Sequence, residues 1–131
     1  MKTLAVALAA LVALEHLDFL GLKMFAGTLP LGQTMFHINP DFAKATAALA
    51  ANQGLYNGFL AAGLAFALGR GDVALRLFFL GCVVVAGVFG AATAVVDILF
   101  VQALPAALAF AATLAAGKRP APGWRAGRPV P

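Results

Sequence analysis

Four nearly continuous apolar stretches, at about residues 3–25, 40–68, 73–95 and 98–116, limit what this chain can fold into. Crossing a bilayer as a helix takes about 20 predominantly apolar residues, and only short connections separate these four. The 131 residues are 63% hydrophobic and 11% charged, with mean hydropathy +0.94. Soluble domains run nearer about 45–50% apolar and about 25% charged. The expectation is an all-α integral membrane bundle of four transmembrane helices, one domain over residues 1–116, with 117–131 as a disordered basic tail. A cleaved signal peptide at the start fits less well. The first apolar run continues through Glu15-His16-Leu17-Asp18 to Phe25, and three more such runs follow.

The net charge of +4 does not indicate nucleic acid, because the basic residues cluster at helix ends and in the tail rather than among exposed aromatics. With four crossings, Lys2, Arg70, Arg76, Lys118, Arg119, Arg125 and Arg128 share one side, and Lys23 and Lys44 lie on the other. Positively charged loops stay inside, so both termini are expected to be cytoplasmic in a plasma membrane, with the tail and its Trp124 near anionic headgroups. The single cysteine, Cys82, excludes an intramolecular disulfide and reads as a small buried residue. His16, His37 and Cys82 have no metal-ligand spacing, and no phosphate loop or nucleophile elbow is present, so neither metal nor cofactor is implied.

Polar residues inside the apolar runs are the informative ones. Glu15 and His16 fall about two thirds of the way along the first run, with Asp18 a turn after Glu15. A charge at membrane depth costs about 2.5–3.5 kcal/mol on insertion scales, so Glu15 is expected to face the bundle interior. In the second run Asn52, Gln53, Tyr56 and Asn57 form a polar stripe at i, i+1, i+4, i+5. Beside it Ala50, Gly54, Gly58 and Ala62 recur every fourth residue, a seam that lets another helix approach closely. Ala86, Gly90 and Ala94, with Gly87 and Ala91, repeat the spacing in the third run, which is therefore expected to dock on the seam of the second. Gln102 precedes Pro105 by about one turn in the fourth run, where the proline is expected to kink the helix.

The connection from Ala26 to Asp41 contains Gly27, Pro30, Gly32 and Pro40 together with Leu29, Leu31, Met35, Phe36 and Ile38. Such a loop is too apolar to be freely solvated and is expected to lie on the membrane surface or to fold over the outer mouth of the bundle as a lid. Asn39-Pro40-Asp41 has the composition of a helix start, and Gly69-Arg70-Gly71-Asp72 that of a turn.

Several blocks carry a resemblance: Leu11-Val12-Ala13-Leu14-Glu15-His16 with Lys23-Met24-Phe25; Leu49-Ala50-Ala51-Asn52-Gln53-Gly54-Leu55-Tyr56-Asn57-Gly58-Phe59; Phe78-Phe79-Leu80-Gly81-Cys82-Val83; and Phe100-Val101-Gln102 with Leu104-Pro105. Together they resemble the bacterial domain-of-unknown-function family 1304, over nearly the whole chain except the basic tail. The resemblance implies a small four-helix inner-membrane protein and supplies no mechanism. The chain departs from the family pattern at Lys23, where an acid is expected, and at Asp18, where an aromatic residue is expected.

Glu15, His16, Asn52, Gln53, Tyr56, Asn57 and Gln102 are thus the candidate ligand-binding residues, with Glu15 and His16 the candidate acid/base pair. Three functions fit them. The first is binding of a small amphipathic or lipid-like molecule near the outer leaflet, extending to transport in a homodimer. The second is a membrane enzyme or redox accessory protein acting on a quinone or isoprenoid substrate through Glu15 and His16. The third is a structural subunit in which the polar stripe only joins helices.

Overall fold

The computed structural model describes residues 1–117, and every regular element among them is helical. Helix α1 (Lys2–Gly21) continues into a π-helical turn, Leu22–Ala26. Two short helices follow, α2 (Pro30–Met35) and α3 (Pro40–Ala45), then the long α4 (Ala47–Gly69) and α5 (Val73–Thr93). A second π-helical segment, Leu99–Ala103, leads into α6 (Leu104–Gly117). The expected basic tail, with Lys118, Arg119, Trp124, Arg125 and Arg128, lies outside the described residues.

Helix boundaries follow local chemistry. Asn39 caps α3 by accepting the Phe42 amide at 2.8 Å, with Pro40 in the first turn, and Asp72 caps α5 by accepting the Leu75 amide at 3.0 Å. Between α4 and α5, Gly71 takes the left-handed conformation at φ 63°. Its amide donates to the Leu68 carbonyl and that of Asp72 to the Ala67 carbonyl, both at 3.0 Å. These two bonds satisfy carbonyls that a helix end would leave free.

The second and fourth apolar runs each depart from an uninterrupted α-helix. The second apolar run is broken into α3 and α4 at Thr46, whose backbone leaves the helical region (φ −104°, ψ 8°) and whose hydroxyl donates to the Phe42 carbonyl at 2.8 Å. Just before Pro105, the expected site of a kink, the chain forms the π-helical segment Leu99–Ala103, and the Leu104 amide reaches back to the Leu99 carbonyl. Proline has no N–H to offer the carbonyl four residues earlier, and wider hydrogen-bond spacing absorbs the irregularity.

Among the described residues, three segments are long and apolar enough to cross a membrane: Lys2–Ala26, Val73–Thr93 and Leu99–Gly117. Sequence reading anticipated four. The remaining long helix, α4, has 23 residues, ample length at about 1.5 Å per residue, but Asn52, Gln53 and Asn57 reduce its apolar character.

The four long helices close a ring in which α1 lies against α4 and α6, and α5 lies against both of these. At its centre Ala9, Val12, Ala13, Leu64, Leu80, Val83, Ala106 and Ala109 form one buried cluster. Alanines supply much of the interior, while Phe25, Phe66, Phe78, Phe89 and Phe100 are exposed. A water-soluble domain sorts these sizes the other way. Small residues let helices approach closely, so their association depends on van der Waals contact, as in lipid.

The small-residue seams dock on different partners from those expected. A Cβ on Gly54 would lie 2.9 Å from Met24 Cγ and 3.2 Å from the Leu20 carbonyl oxygen, and one on Gly58 would overlap Leu20. The seam of α4 therefore receives α1 and its π-helical turn, not α5. The seam of α5 receives the second π-helical segment: a Cβ on Gly87 would lie 2.8 Å from the Ala103 amide nitrogen. Helices α4 and α5 meet elsewhere, where Gly63 accommodates the ring of Phe79.

Candidate functional site

Both π-helical segments lie at the same end of the helix ring and border one cleft of about 460 Å³. Leu22 and Lys23 come from the first, and Val101 and Gln102 from the second. A π-helical turn shifts the register of side chains relative to the helix below it and is frequent at functional sites. Phe19 adds an apolar wall from α1, while Ala94, Val95, Asp97 and Ile98 line the cleft from the connection after α5.

Helix α2 borders the cleft with Met35, Phe36 and His37 at its C-terminal end. Gly32 seats this helix. It is buried, and a Cβ there would overlap the Ala26 carbonyl oxygen and lie 2.9 Å from Gly27 Cα. Only glycine lets α2 rest directly on the end of the first π-helical turn. The Gln33 side chain anchors it further, donating from Nε2 to the Thr28 carbonyl at 2.8 Å.

His37 is the one non-glycine residue with positive φ, at 53°, among the described residues. Its amide donates to the Thr34 carbonyl at 3.3 Å and that of Ile38 to the Gln33 carbonyl at 3.0 Å, the same terminus that α4 makes with Gly71. Glycine is the usual residue in this position. Here a histidine occupies it, and the residue lines the cleft.

The cleft thus has a largely apolar wall, and four polar residues, Lys23, His37, Asp97 and Gln102, border it. Lys23 also lines a smaller cavity of about 130 Å³ between the first π-helical turn and α3–α4. Such a surface can hold an apolar body while hydrogen-bonding a polar head of mixed character.

Of the seven residues singled out from sequence, only Gln102 lines this cleft. His16 is fully buried. Its Nδ1 donates to the Val12 carbonyl at 2.8 Å, its ring meets Phe19 edge-on at 6.0 Å, and its Nε2 is buried without a partner. Glu15 is half-buried, with one carboxylate oxygen likewise enclosed and unpaired. Neither residue reaches the cleft.

Most of the stripe on α4 faces away from the ring. Asn52, Gln53 and Tyr56 are exposed, and Asn57 is half-buried, its Nδ2 donating to the Gln53 carbonyl at 2.8 Å. The reason is angular. At about 100° per residue, positions two away from Gly54 lie roughly 160–200° around the helix, so a Gly54 seam pressed against α1 turns Asn52 and Tyr56 outward. The expected convergence of the stripe with Glu15 and Gln102 does not form.

Lys23, His37 and Asp97 are not among the seven residues singled out from sequence. Neither π-helical segment has a composition signal beyond Pro105. A Gly-containing lid flanked by prolines, ending in Phe36-His37, was the available clue to His37.

Comparison with curated proteins and with solved structures finds no match to either. The family profile described as "Protein of unknown function (DUF1304)" matches residues 10–114. That stretch includes both π-helical segments, the α2 cap and all four polar residues of the cleft. The chain belongs to the DUF1304 family.

Proposed function

We propose that this is a multi-pass protein of the bacterial plasma membrane, with α4 as its fourth crossing and both termini cytoplasmic, that holds a small amphipathic molecule in the cleft beneath α2. The cleft itself carries this reading. It pairs about 460 Å³ of space with a mostly apolar lining, and its four polar residues lie at one end of the helices. With Lys2 and Arg70 at the opposite end, the positive-inside rule puts the cleft near the outer leaflet. An apolar tail would lie against Phe19, Leu22 and Val101, and a polar head would meet Lys23, His37 and Gln102. The alternative acid/base role for Glu15 and His16 gains no support from this cleft, which neither residue lines.

Native mass spectrometry of the full chain released from lipid nanodiscs tests the proposal. One small-molecule adduct per chain is expected on the wild type. His37→Gly preserves the left-handed backbone while removing the imidazole, and Gln102→Leu removes an amide at similar volume. Each variant is expected to lower adduct occupancy about tenfold, corresponding to roughly 1.4 kcal/mol. A wild-type chain without any adduct, or an adduct that both variants keep in full, would refute the site.

A further inference from the structure

At the end of the helix ring opposite the cleft, the last buried residue of each long helix is Ala5 on α1, Ala67 on α4, Arg76 on α5 and Thr113 on α6. Three of these are small. Arg76 heads the buried stripe that continues through Leu80, Val83 and Gly87, so it belongs to the interior of the ring. Only 6% of it is exposed, and its Nε is enclosed without a hydrogen-bond partner among the described residues. A guanidinium cannot relieve burial by losing its proton, and an uncompensated buried charge is strongly unfavourable.

The chain offers this arginine little counter-charge. Its five acids are Glu15, Asp18, Asp41, Asp72 and Asp97. Asp97 lines the cleft, Asp41 opens α3, and Glu15 and Asp18 lie in the last third of α1, all toward the other end of the ring. Asp72 lies one turn before Arg76, but it is exposed and its Oδ1 accepts the Leu75 amide. Nor does the end of α4 call for a donor, because the amides of Arg70, Gly71 and Asp72 already bond the Phe66, Leu68 and Ala67 carbonyls. Lys2 and Arg70, both exposed, make this end more positive still.

We propose that Arg76 forms an anion site at this end of the ring and takes a phosphate group between the start of α5 and the end of α6. Those two ends are neighbours: a Cβ on Gly117 would lie 3.7 Å from Val73 Cγ1, one turn before Arg76. The N–H donors of a guanidinium match phosphate oxygens, and basic positions between transmembrane helices on the cytoplasmic side hold lipid headgroups. A phospholipid headgroup and a soluble phosphate present the same group, and the test separates them.

The site does not depend on what the cleft holds. Thermal unfolding of the delipidated full chain in a maltoside detergent tests it, at about 0.15 M salt so that exposed charges are screened. Phosphatidylglycerol and inorganic phosphate are added in separate samples. The wild type is expected to gain about 5 °C with at least one of them. A gain with phosphatidylglycerol alone identifies a lipid headgroup, and a gain with inorganic phosphate identifies a soluble one. Arg76→Met keeps an unbranched apolar stem without the charge. With no anion present it is expected to unfold at or above the wild-type temperature, because an unpaired buried charge is gone, and it is expected to lose the gain. Arg70→Gln removes an exposed charge at the same end and should keep it. An arginine that only braces the helices predicts the reverse, with Arg76→Met unfolding earlier in the absence of anion. That result, failure of Arg76→Met to accumulate, a full gain in Arg76→Met, or an equal loss in Arg70→Gln would overturn the proposal. So would a wild type that gains nothing from either addition, a result that needs no variant to fold.

Discussion

Gly87→Leu is expected to prevent accumulation of folded protein. The position is buried, and even a methyl there would lie 2.8 Å from both the Cβ and the amide nitrogen of Ala103 and 3.0 Å from its Cα. Two of those atoms are backbone, so no side-chain rotation relieves the clash; α5 or the second π-helical segment must move. Overpacking of this kind costs about 1–3 kcal/mol, and a leucine against backbone falls at the upper end, on the order of a hundredfold in the folded-to-unfolded ratio. The monodisperse fraction after extraction in mild detergent measures it. Gly21→Ala serves as the control, because nothing lies within 4 Å of a Cβ there and the backbone is already helical. It should match or exceed the wild type, gaining up to about 1 kcal/mol from the change in helix propensity. Equal yields from Gly87→Leu and the wild type would mean that α5 and the second π-helical segment do not pack as described.

Gly32→Val should have a different effect, releasing the cap while sparing the helices. A side chain at Gly32 would collide with the Ala26 carbonyl and Gly27, lifting α2 from the end of the first π-helical turn. The core cluster contains no residue of α2, so the long helices should remain assembled. With α2 displaced, Met35, Phe36 and His37 leave the cleft wall. Hydrogen exchange over residues 28–38 should accelerate by at least tenfold, with α1, α5 and α6 unchanged. A variant with native protection in that stretch would show that the cap does not depend on this close approach.

Much of the fold was legible because it depends on local signals. Asn39-Pro40 and Asp72 start helices where their composition says they should, and Gly71 ends one. The apolar runs correctly located the long helices, although Thr46 divides one of them at a residue with no conspicuous breaker chemistry. The candidate site was less legible, for two physical reasons. First, polarity within an apolar helix was read as pointing inward, yet Asn52 and Tyr56 lie nearly opposite Gly54, and the close approach of α1 to glycine determined which face turned in. Seam and stripe were both visible, and their angular relation already contained the answer. Second, the cleft is built by π-helical geometry at Leu22–Ala26 and Leu99–Ala103, which follows from how the helices pack and from Pro105 rather than from any periodicity. Lys23 and Gln102 therefore meet at one cleft although nothing in their spacing links them. The Ala5, Ala9, Ala13 repeat, buried along α1, is equally visible in the sequence.

If an amphipathic molecule occupies the cleft beneath α2, photolabelling locates it directly. Full-length protein in vesicles would be irradiated with a phospholipid analogue carrying a diazirine near its headgroup, and the labelled peptides mapped by mass spectrometry. The prediction is saturable labelling concentrated on Met35–His37 and on Val101–Gln102, competed by unlabelled lipid extract and lost in Gly32→Val. Labelling spread evenly over the exposed aromatics Phe78, Phe89 and Phe100, without saturation and unchanged in Gly32→Val, would contradict it.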